Sequence, residues 1–347
     1  MTVRAPAMRD VARLAGVSHQ TVSRVLNGHP HVREQTRLRV QAAITELGYR
    51  PNRAARTLVT GRSQVLGVVA LNTTLYGPAS LLSAFELAAA EAGFAVSVGS
   101  VRNLDRTSIT AVVERHLAHR VAGIVVIAPV ESAGEALECL PTDIPLVTVD
   151  GDPRRPVPLV TIDQVEGGRL ATRHLLDAGH RTVWHVSGPI DWFDSAGRIA
   201  GWRETLQAAG AEVPPVLQAD WSAASGYRCG QMLARSPEVT AVFTANDDLA
   251  LGVLHALHEH GRRVPEDVSV VGFDDVPDAA YFIPPLTTVR PDFNTVAEAS
   301  LGLLLAQIDA GVDHTLRRTV SPTLVTRDSV APPPGAVPAP RSPDRAS

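Results

Sequence analysis

Two neighbouring carboxylates, Asp274 and Asp275, are the first candidates for paired acid and base work in this sequence. Adjacent residues on a strand point to opposite faces, so they make a poor hydrolytic pair. The surrounding residue types suit a different chemistry, the gripping of hydroxyl groups. Asp150, Asn246 and Asp274 follow short β-branched runs, and Arg198 lies near the start of a helix after HVSGP. Trp221 sits in the short loop ADWSAASG. Carboxylates, an amide and a guanidinium can hold vicinal hydroxyls, while a flat aromatic face takes the apolar side of a sugar ring. Ligand contact is the favoured reading for Asn246, Asp274 and Arg198. Asp247 and Asp275 read better as caps of the helices that follow them. Trp202, in the helical stretch GWRETL, reads as core, and Trp221 stands between the two alternatives.

A second chemistry lies near the N-terminus. Ser18 can cap a helix running from His19 to about Leu26. Val22 and Val25, three apart, form its packing face, which leaves His19, Gln20 and Arg24 free for a partner. Arg24 can contact guanine through two hydrogen bonds, Gln20 can pair with adenine, and His19 is the third candidate reader. Ser18, Thr21, Ser23 and Asn27 carry short polar side chains suited to phosphates, contacts that position without reading sequence.

Charge supports this division. Residues 1–62 hold eleven arginines against Asp10, Glu34 and Glu46, a net of +8. The other 285 residues then carry −12 of the chain's net −4. A basic small segment ahead of an acidic body reads as a nucleic-acid-binding head. All 32 basic residues are arginine. Without lysine there is no P-loop, no Schiff base and no protein-kinase chemistry. HExxH, GxSxG and GxGxxG are absent too. Cys139 and Cys229 are two isolated thiols, enough for neither a zinc site nor a disulfide framework. No metal or cofactor is expected. No run approaches the ~18 apolar residues of a membrane helix, and Met1–Arg9 lacks the apolar stretch of a secretion signal, so a cytoplasmic protein is expected.

The elements that must position these residues follow from periodicity. Met8 to Leu14 reads as a helix with Val11 and Leu14 inward, and Ala15-Gly16-Val17 as an interhelical turn. A third helix spans about Gln35 to Leu47, where Val40, Ala43, Ile44 and Leu47 recur at helical spacing and Gly48 ends it. In residues 63–330, strands are predicted at 65–71, 94–98, 123–127 and 145–149. A second series is predicted at 159–162, 182–186, 240–244 and 268–273. Helical stretches such as 79–92, 165–178, 196–209, 247–260 and 292–310 lie between them. The fold class is α/β: a three-helix head, then two lobes of doubly wound parallel sheets. Ligands of such sheets bind outside the carboxyl ends of the strands, here facing a shared cleft.

The stretches MRDVARLAGVSHQTVSRVLNGHPHV and LGYRPNRAARTLVTGRS, about sixty residues without gaps, resemble the head and hinge of the lactose/galactose repressor family. GWRETL, DWSAASG, TANDDLALG, SVVGFDD and YFIPPLTTVRPDF are similar to the effector core of its lactose-binding branch, and the resemblance spans roughly residues 8–330. It implies a helix-turn-helix head at 1–50, a hinge helix and linker at 51–62, and a two-lobed periplasmic-binding-protein-like core at 63–330. Lobe 1 would take about 63–160 and 290–318, and lobe 2 about 161–289 and 319–330. It also implies a repressor of sugar-utilisation genes that binds a palindromic operator as a homodimer. A small galactoside-like sugar between the lobes would alter hinge docking. His31 joins the DNA contacts, as do Asn52, Arg53 and Ala55 of the hinge. Leu58 stands at the family's minor-groove wedge, although as a bare residue it also reads as a linker anchor. In the core the resemblance implies effector contact by Arg198, Trp221, Asn246, Asp274 and Asp150, with Phe293 lining the pocket. Two departures stand out. Arg33 occupies the family's capping position before the third helix. Leu71 and Ile127 replace polar pocket residues, which Asn72 or Trp192 would compensate.

Two rivals are weighed against this reading. A sugar-processing enzyme would turn galactosides over. A transport-type sugar-binding protein would lack the basic head. Finally, the tail at 331–347 contains six prolines and no leucine, so it cannot form a heptad seam. A disordered tail and assembly no larger than a dimer are expected.

Overall fold

The computed structural model describes residues 6–26, 29–49, 63–71, 75–102, 105–127, 129–131, 133, 137 and 144–335. It divides into two compact units, Met1–Gln64 and Val65–Ser347. Asn27, Asn52, Arg53, Ala55, Leu58, Asn72 and Cys139, together with most of the proline-rich tail, lie outside the described residues.

The first unit contains α1 (Met8–Ala15), α2 (His19–Leu26) and α3 (Glu34–Leu47). Its core is Val11, Ala12, Ala15, Val22, Val25, Val40, Ala43 and Tyr49. Leu14 is not part of it: 46% of this residue stays exposed. Ala12 and Ala15 face inward instead, because small side chains let α1 approach its neighbours closely. The carboxylate of Asp10 accepts the Ala7 N–H at 2.9 Å and secures the start of α1. Gly16 turns the chain at φ +63°, a conformation costly for a residue with a Cβ. Ser18 Oγ accepts the Thr21 N–H at 3.1 Å, the expected cap of α2. Arg33 precedes α3 without any side-chain cap, as its residue type dictates, and Gly48 closes α3 at φ +59°.

The second unit holds two six-stranded sheets. Its elements are β1 (Val65–Leu71), α4 (Tyr76–Glu91), β2 (Ala95–Val101), α5 (Arg106–Ala118), β3 (Ile124–Ile127), β4 (Leu146–Val149), β5 (Leu159–Ile162), α6 (Gln164–Asp177), β6 (Trp184–Ser187) and α7 (Phe193–Ala208). There follow β7 (Leu217–Gln218), α8 (Ala223–Ala234), β8 (Ala241–Thr244), α9 (Asp247–Glu259), β9 (Ser269–Phe273), a 3-10 turn at Pro277–Tyr281, β10 (Thr287–Arg290), α10 (Phe293–Ala310), β11 (Arg317–Val320) and β12 (Thr323–Val325). The first sheet runs β11-β5-β4-β3-β1-β2 and the second β12-β10-β9-β8-β6-β7. Every pairing is parallel except β10 with β12. β3, β4, β8 and β9 are buried along their whole length, the mark of parallel strands covered by helices on both faces.

One strand changes lobe relative to expectation. β5 was expected to open the second series, but Val149 pairs with Val160 and Thr161 with Thr319, so β5 lies inside the first sheet. A boundary at 160/161 would cut that strand. The chain crosses after Ile162, after Arg290, and between Val320 and Thr323. Boundaries at 289/290 and 318/319 likewise fall inside β10 and β11. Strands must run to the end of their hydrogen-bonded register before the chain can leave the sheet. α10 packs on the first sheet through Val296, Ala297, Leu301 and Leu304.

Glycine sets the approach of α6 to α7. A Cβ on Gly201 would sit 2.0 Å from the Val165 carbonyl oxygen, and one on Gly168 would sit 2.4 Å from that of Arg198. Only glycine permits this spacing, and it brings Gln164 at the start of α6 within reach of Arg198 on α7.

Candidate functional site

In the head, α2 separates its residues by face. Val22 and Val25 are buried, whereas Ser18, His19, Gln20 and Arg24 are exposed, with Thr21 and Ser23 half-buried. Ser18 Oγ and Thr21 Oγ1 lie 2.9 Å apart, so one hydroxyl holds the other at the helix start. His31 is exposed in the turn before α3, its ring 5.6 Å from that of His29. An exposed helix face bearing histidine, glutamine and arginine over a packed three-helix core is the geometry that enters a major groove.

In the second unit, a cavity lies at the carboxyl ends of the strands. Asp150, Trp192, Arg198, Trp221, Asn246, Asp274 and Phe293 all line it. These are seven of the eight predicted effector residues, the eighth being Asn72. Asp150 and Asp274 directly follow β4 and β9, and Asn246 lies just beyond β8. Three of the seven occupy left-handed backbone conformations: Asp150 at φ +52°, Trp221 at φ +73° and Asp274 at φ +109°. Such strain persists only where surrounding packing fixes it, and it concentrates at functional sites. The Trp221 ring fixes its own loop by covering Gly188, where a Cβ would come within 2.4 Å of it.

Arg198 is the hub. It is 3% exposed and donates Nε–H to Gln164 Oε1 at 2.9 Å and an Nη1–H to the Ala245 carbonyl. Its guanidinium stacks 3.6 Å over the Phe273 ring, and Nη2 stands 4.0 Å from Asp194 Oδ2. The guanidinium is therefore fixed on three sides before any ligand arrives. Asp150 accepts the Ile162 N–H and the Thr161 hydroxyl, both at 3.1 Å. Burial pushes the Asp150 carboxyl up, against the pull of these hydrogen bonds and of Arg198. Burial likewise pushes Asp274 up to about 8, opposed by Arg198. It pushes Asp194 up to about 8, reinforced by the charge of Asp150. Three carboxyls share one guanidinium in a water-poor space, so desolvation outweighs the attraction of a single cation.

Sequence reasoning missed Asp194 and Gln164, which also line this cavity. Both sit in the first turn of a helix, whereas attention went to strand ends. The spacing of Asp194 to Arg198, i to i+4, was the available signal. Among the described residues Asp194 Oδ1, Gln164 Nε2 and Trp221 Nε1 are buried without hydrogen-bond partners. Buried polar atoms of native proteins are normally satisfied, which sets these three atoms apart from their hydrogen-bonded neighbours.

Two expectations are corrected, the capping roles of Asp247 and Asp275. The cap of α9 is Asn246, whose Oδ1 accepts the Leu249 N–H at 2.8 Å and whose Nδ2 donates to the Trp221 carbonyl at 3.1 Å. One Nδ2 hydrogen remains for a ligand. Asp247 caps nothing. It turns inward, accepting the Thr288 hydroxyl at 2.6 Å and the Val276 N–H at 2.9 Å, and so ties the loop after β9 to β10. Asp275 is no cap either, because Arg290 and Arg327 hold its carboxylate at 2.5 and 2.6 Å. In the loop just after β9, the carboxylate pairs with two arginines instead of capping the five-residue 3-10 turn that follows. Trp202 is fully buried, donating its N–H to the Val183 carbonyl at 2.8 Å.

Comparisons with known proteins cover most of the chain. Residues 7–52 match the family model described as bacterial regulatory proteins, lacI family, and residues 172–330 match a periplasmic binding protein-like domain. The chain is 35% identical over 335 residues to the lactose operon repressor of Escherichia coli strain K12, covering 96% of this chain and 93% of the relative. It is 34% identical over 331 residues to the transcriptional repressor PurR of Klebsiella pneumoniae strain 342, covering 93% of this chain and 96% of that one. A lac repressor dimer bound to operator and the anti-inducer ONPF superimposes with a TM-score of 0.86 at 33% identity, over 94% of this chain and 100% of the other. A complex of the regulator CelR with cellobiose superimposes with a TM-score of 0.69 at 32% identity, over 93% and 99%. The exposed face of α2 and the cavity at the strand ends thus meet in one chain that belongs to the lacI family of bacterial DNA-binding transcriptional repressors, and it is not an enzyme.

Proposed function

We propose that this repressor binds a palindromic operator as a homodimer and responds to a small neutral sugar of galactoside type held between the core lobes. The observation that carries the sugar reading is the cavity lining: a fixed guanidinium and three carboxyls beside two tryptophans, with three buried polar atoms unpartnered. Hydroxyls satisfy such atoms in either role, and the indole faces take the apolar side of a ring. Asp150, Arg198, Asn246, Asp274, Trp221, Trp192 and Phe293 act as effector contacts, and Asn72 belongs to the same set by resemblance.

On the DNA side, His19, Gln20 and Arg24 read bases. Ser18, Thr21, Ser23, Asn27 and His31 hold phosphates. Asn52, Arg53, Ala55 and Leu58 work from the hinge, Leu58 as the wedge. Two chains are needed because one recognition helix covers a half-site. Apolar residues left exposed on the core, Tyr281 at 84% and Ile283 at 93%, suit burial against a second copy. A cytoplasmic location follows from the DNA partner.

The test is a titration of the protein with lactose, methyl β-galactoside and cellobiose, following tryptophan emission. Trp221, 5% exposed against the cavity, is the expected reporter. A flat heterocycle is the second reading, favoured by the edge-to-face pair of Trp192 and Trp221 at 5.4 Å, and a purine base competes in the same titration. On DNA, Arg24→Ala loses about 1–3 kcal/mol on a specific operator and little on scrambled sequence. Equal loss on both would make Arg24 a phosphate contact.

A further inference from the structure

We propose that two short backbone segments, residues 129–131 and 191–193, form a latch between the lobes that must part before the cavity can fill or empty. The inference concerns access and holds whichever effector the cavity takes. Val130 and Trp192 face each other as an isolated antiparallel bridge. The Phe193 N–H donates to the Pro129 carbonyl at 2.9 Å, and the Glu131 N–H donates to the Asp191 carbonyl at 3.1 Å. Residues 129–131 follow β3 of the first sheet and 191–193 follow β6 of the second, so both bonds run from one lobe to the other. Phe193 begins α7, where an N–H has no partner within the helix. The latch thus uses an amide that its own helix cannot satisfy.

Side chains reinforce the two bonds. Trp192 packs against the first-lobe cluster that holds Val69, Val126 and Val130, and against the second-lobe cluster that holds Val186, Trp221 and Ala245. Its ring meets that of Trp221 edge to face at 5.4 Å. On the first-lobe side, Arg154 stands 2.8 Å from Asp152 and 3.3 Å from Glu131, so a short chain of charges steadies the residue that donates to Asp191. Pro129 and Trp192 line the cavity, as do Ile162 and Pro291, where the chain crosses between the lobes. The crossovers are covalent, whereas the latch is two hydrogen bonds and one indole. It is the tie that opens without breaking the chain, and the crossovers then serve as the hinge. Tyr76 and Phe293, edge to face at 6.1 Å, wall the cavity toward a groove holding Leu87, Arg290 and Thr323, and they mark the alternative door.

The experiment uses the full-length protein without added effector. It reads amide hydrogen exchange at Phe193 and the quenching of tryptophan emission by acrylamide, a small neutral probe. Trp221, 5% exposed at the cavity wall, is the indole that gains access when the latch opens. Glu131→Pro removes one latch N–H, and proline suits the extended backbone of Val130 before it. Glu131→Ala keeps the N–H and loses only the exposed pair with Arg154, whose contribution is small. Thermal unfolding verifies that each variant folds. Glu131→Pro is expected to speed exchange at Phe193 by about 3- to 10-fold, the scale of one backbone hydrogen bond, and to raise quenching, with Glu131→Ala close to wild type. Val130→Cys with Trp192→Cys, made alongside Cys139→Ser and Cys229→Ser, gives an independent closed form. A facing antiparallel pair without mutual hydrogen bonds lies about 4.5 Å apart at Cα, within the span of a disulfide. Oxidation of that variant should slow exchange at Phe193 and lower quenching, and reduction should restore both. No difference between Glu131→Pro and Glu131→Ala overturns the latch. Should the proline variant not fold, no difference between the oxidised and reduced cysteine pair overturns it instead. Quenching that rises in Tyr76→Ala and not in Glu131→Pro places the door between Tyr76 and Phe293, and overturns it too.

Discussion

The two lobes present unlike walls to the same cavity. The second lobe contributes Gln164, Asp194, Arg198, Trp221, Asn246 and Asp274, mostly polar, with Gln164, Arg198 and Asn246 held by hydrogen bonds. The first contributes Leu75, Pro78, Leu81, Ile127, Pro129 and Phe293, with Asp150 and Tyr76 as its polar members. One wall is mostly polar, and the other mostly apolar. On the proposed sugar function, the difference separates affinity from identity: hydrogen bonds from the second lobe would anchor a ring, and the shape of the first lobe would select what the ring carries.

Breaking the polar wall should have the largest effect. Arg198→Ala is expected to lower effector affinity about 100-fold or more, close to 2.7 kcal/mol. Isothermal titration checks this, and a loss under about 3-fold would remove Arg198 from its central place. The carboxyls of the same wall give an intermediate effect on stability. The folded-state pKa values of Asp194 and Asp274, about 8, lie above the ordinary 3.8, so the folded protein binds more protons than the unfolded one. Their contribution is fully present below about pH 4 and is lost as pH rises through about 8. Chemical denaturation of the core between those limits should show this decline, and Asp274→Asn should flatten it. A steeper decline in the variant would contradict the assignment. The apolar wall should give the smallest effect. Ile127→Ser is expected to change the affinity for one sugar by less than about 10-fold while altering the ranking among several. A loss as large as that of Arg198→Ala would erase the contrast between the walls.

Much of this was legible in the sequence, for reasons that differ by residue. Asn246 and Asp274 were placed at the cavity because parallel sheets put ligands at strand ends, and Arg198 because it lies near the start of the helix after HVSGP. The three helices of the head were found because Val22, Val25, Val40 and Ala43 recur at helical spacing. Asp194 and Gln164 were missed because they begin helices; Asp194 lies one turn before Arg198 on α7, and only the tertiary approach permitted by Gly168 and Gly201 carries Gln164 to Arg198. β11 was missed because RRTV is an edge strand with three exposed residues and no apolar alternation. The cap of α9 was expected at Asp247 and lies at Asn246, because either residue type can cap a helix, and only Thr288 and Val276, 41 and 29 residues away, turn Asp247 inward. Local pattern reports what a residue can do, and partners distant in sequence choose among the options.

The central claim, that one chain couples an exposed reading helix to a neutral-sugar cavity, is tested most directly by footprinting on the DNA upstream of its own gene. The account predicts protection of two symmetric half-sites about one helical turn apart, and a change in that protection when a neutral sugar bound by wild type is added. It further predicts that Arg198→Ala keeps the footprint and loses the response. Protection that no bound sugar alters, or a sugar response that survives in Arg198→Ala, would contradict it.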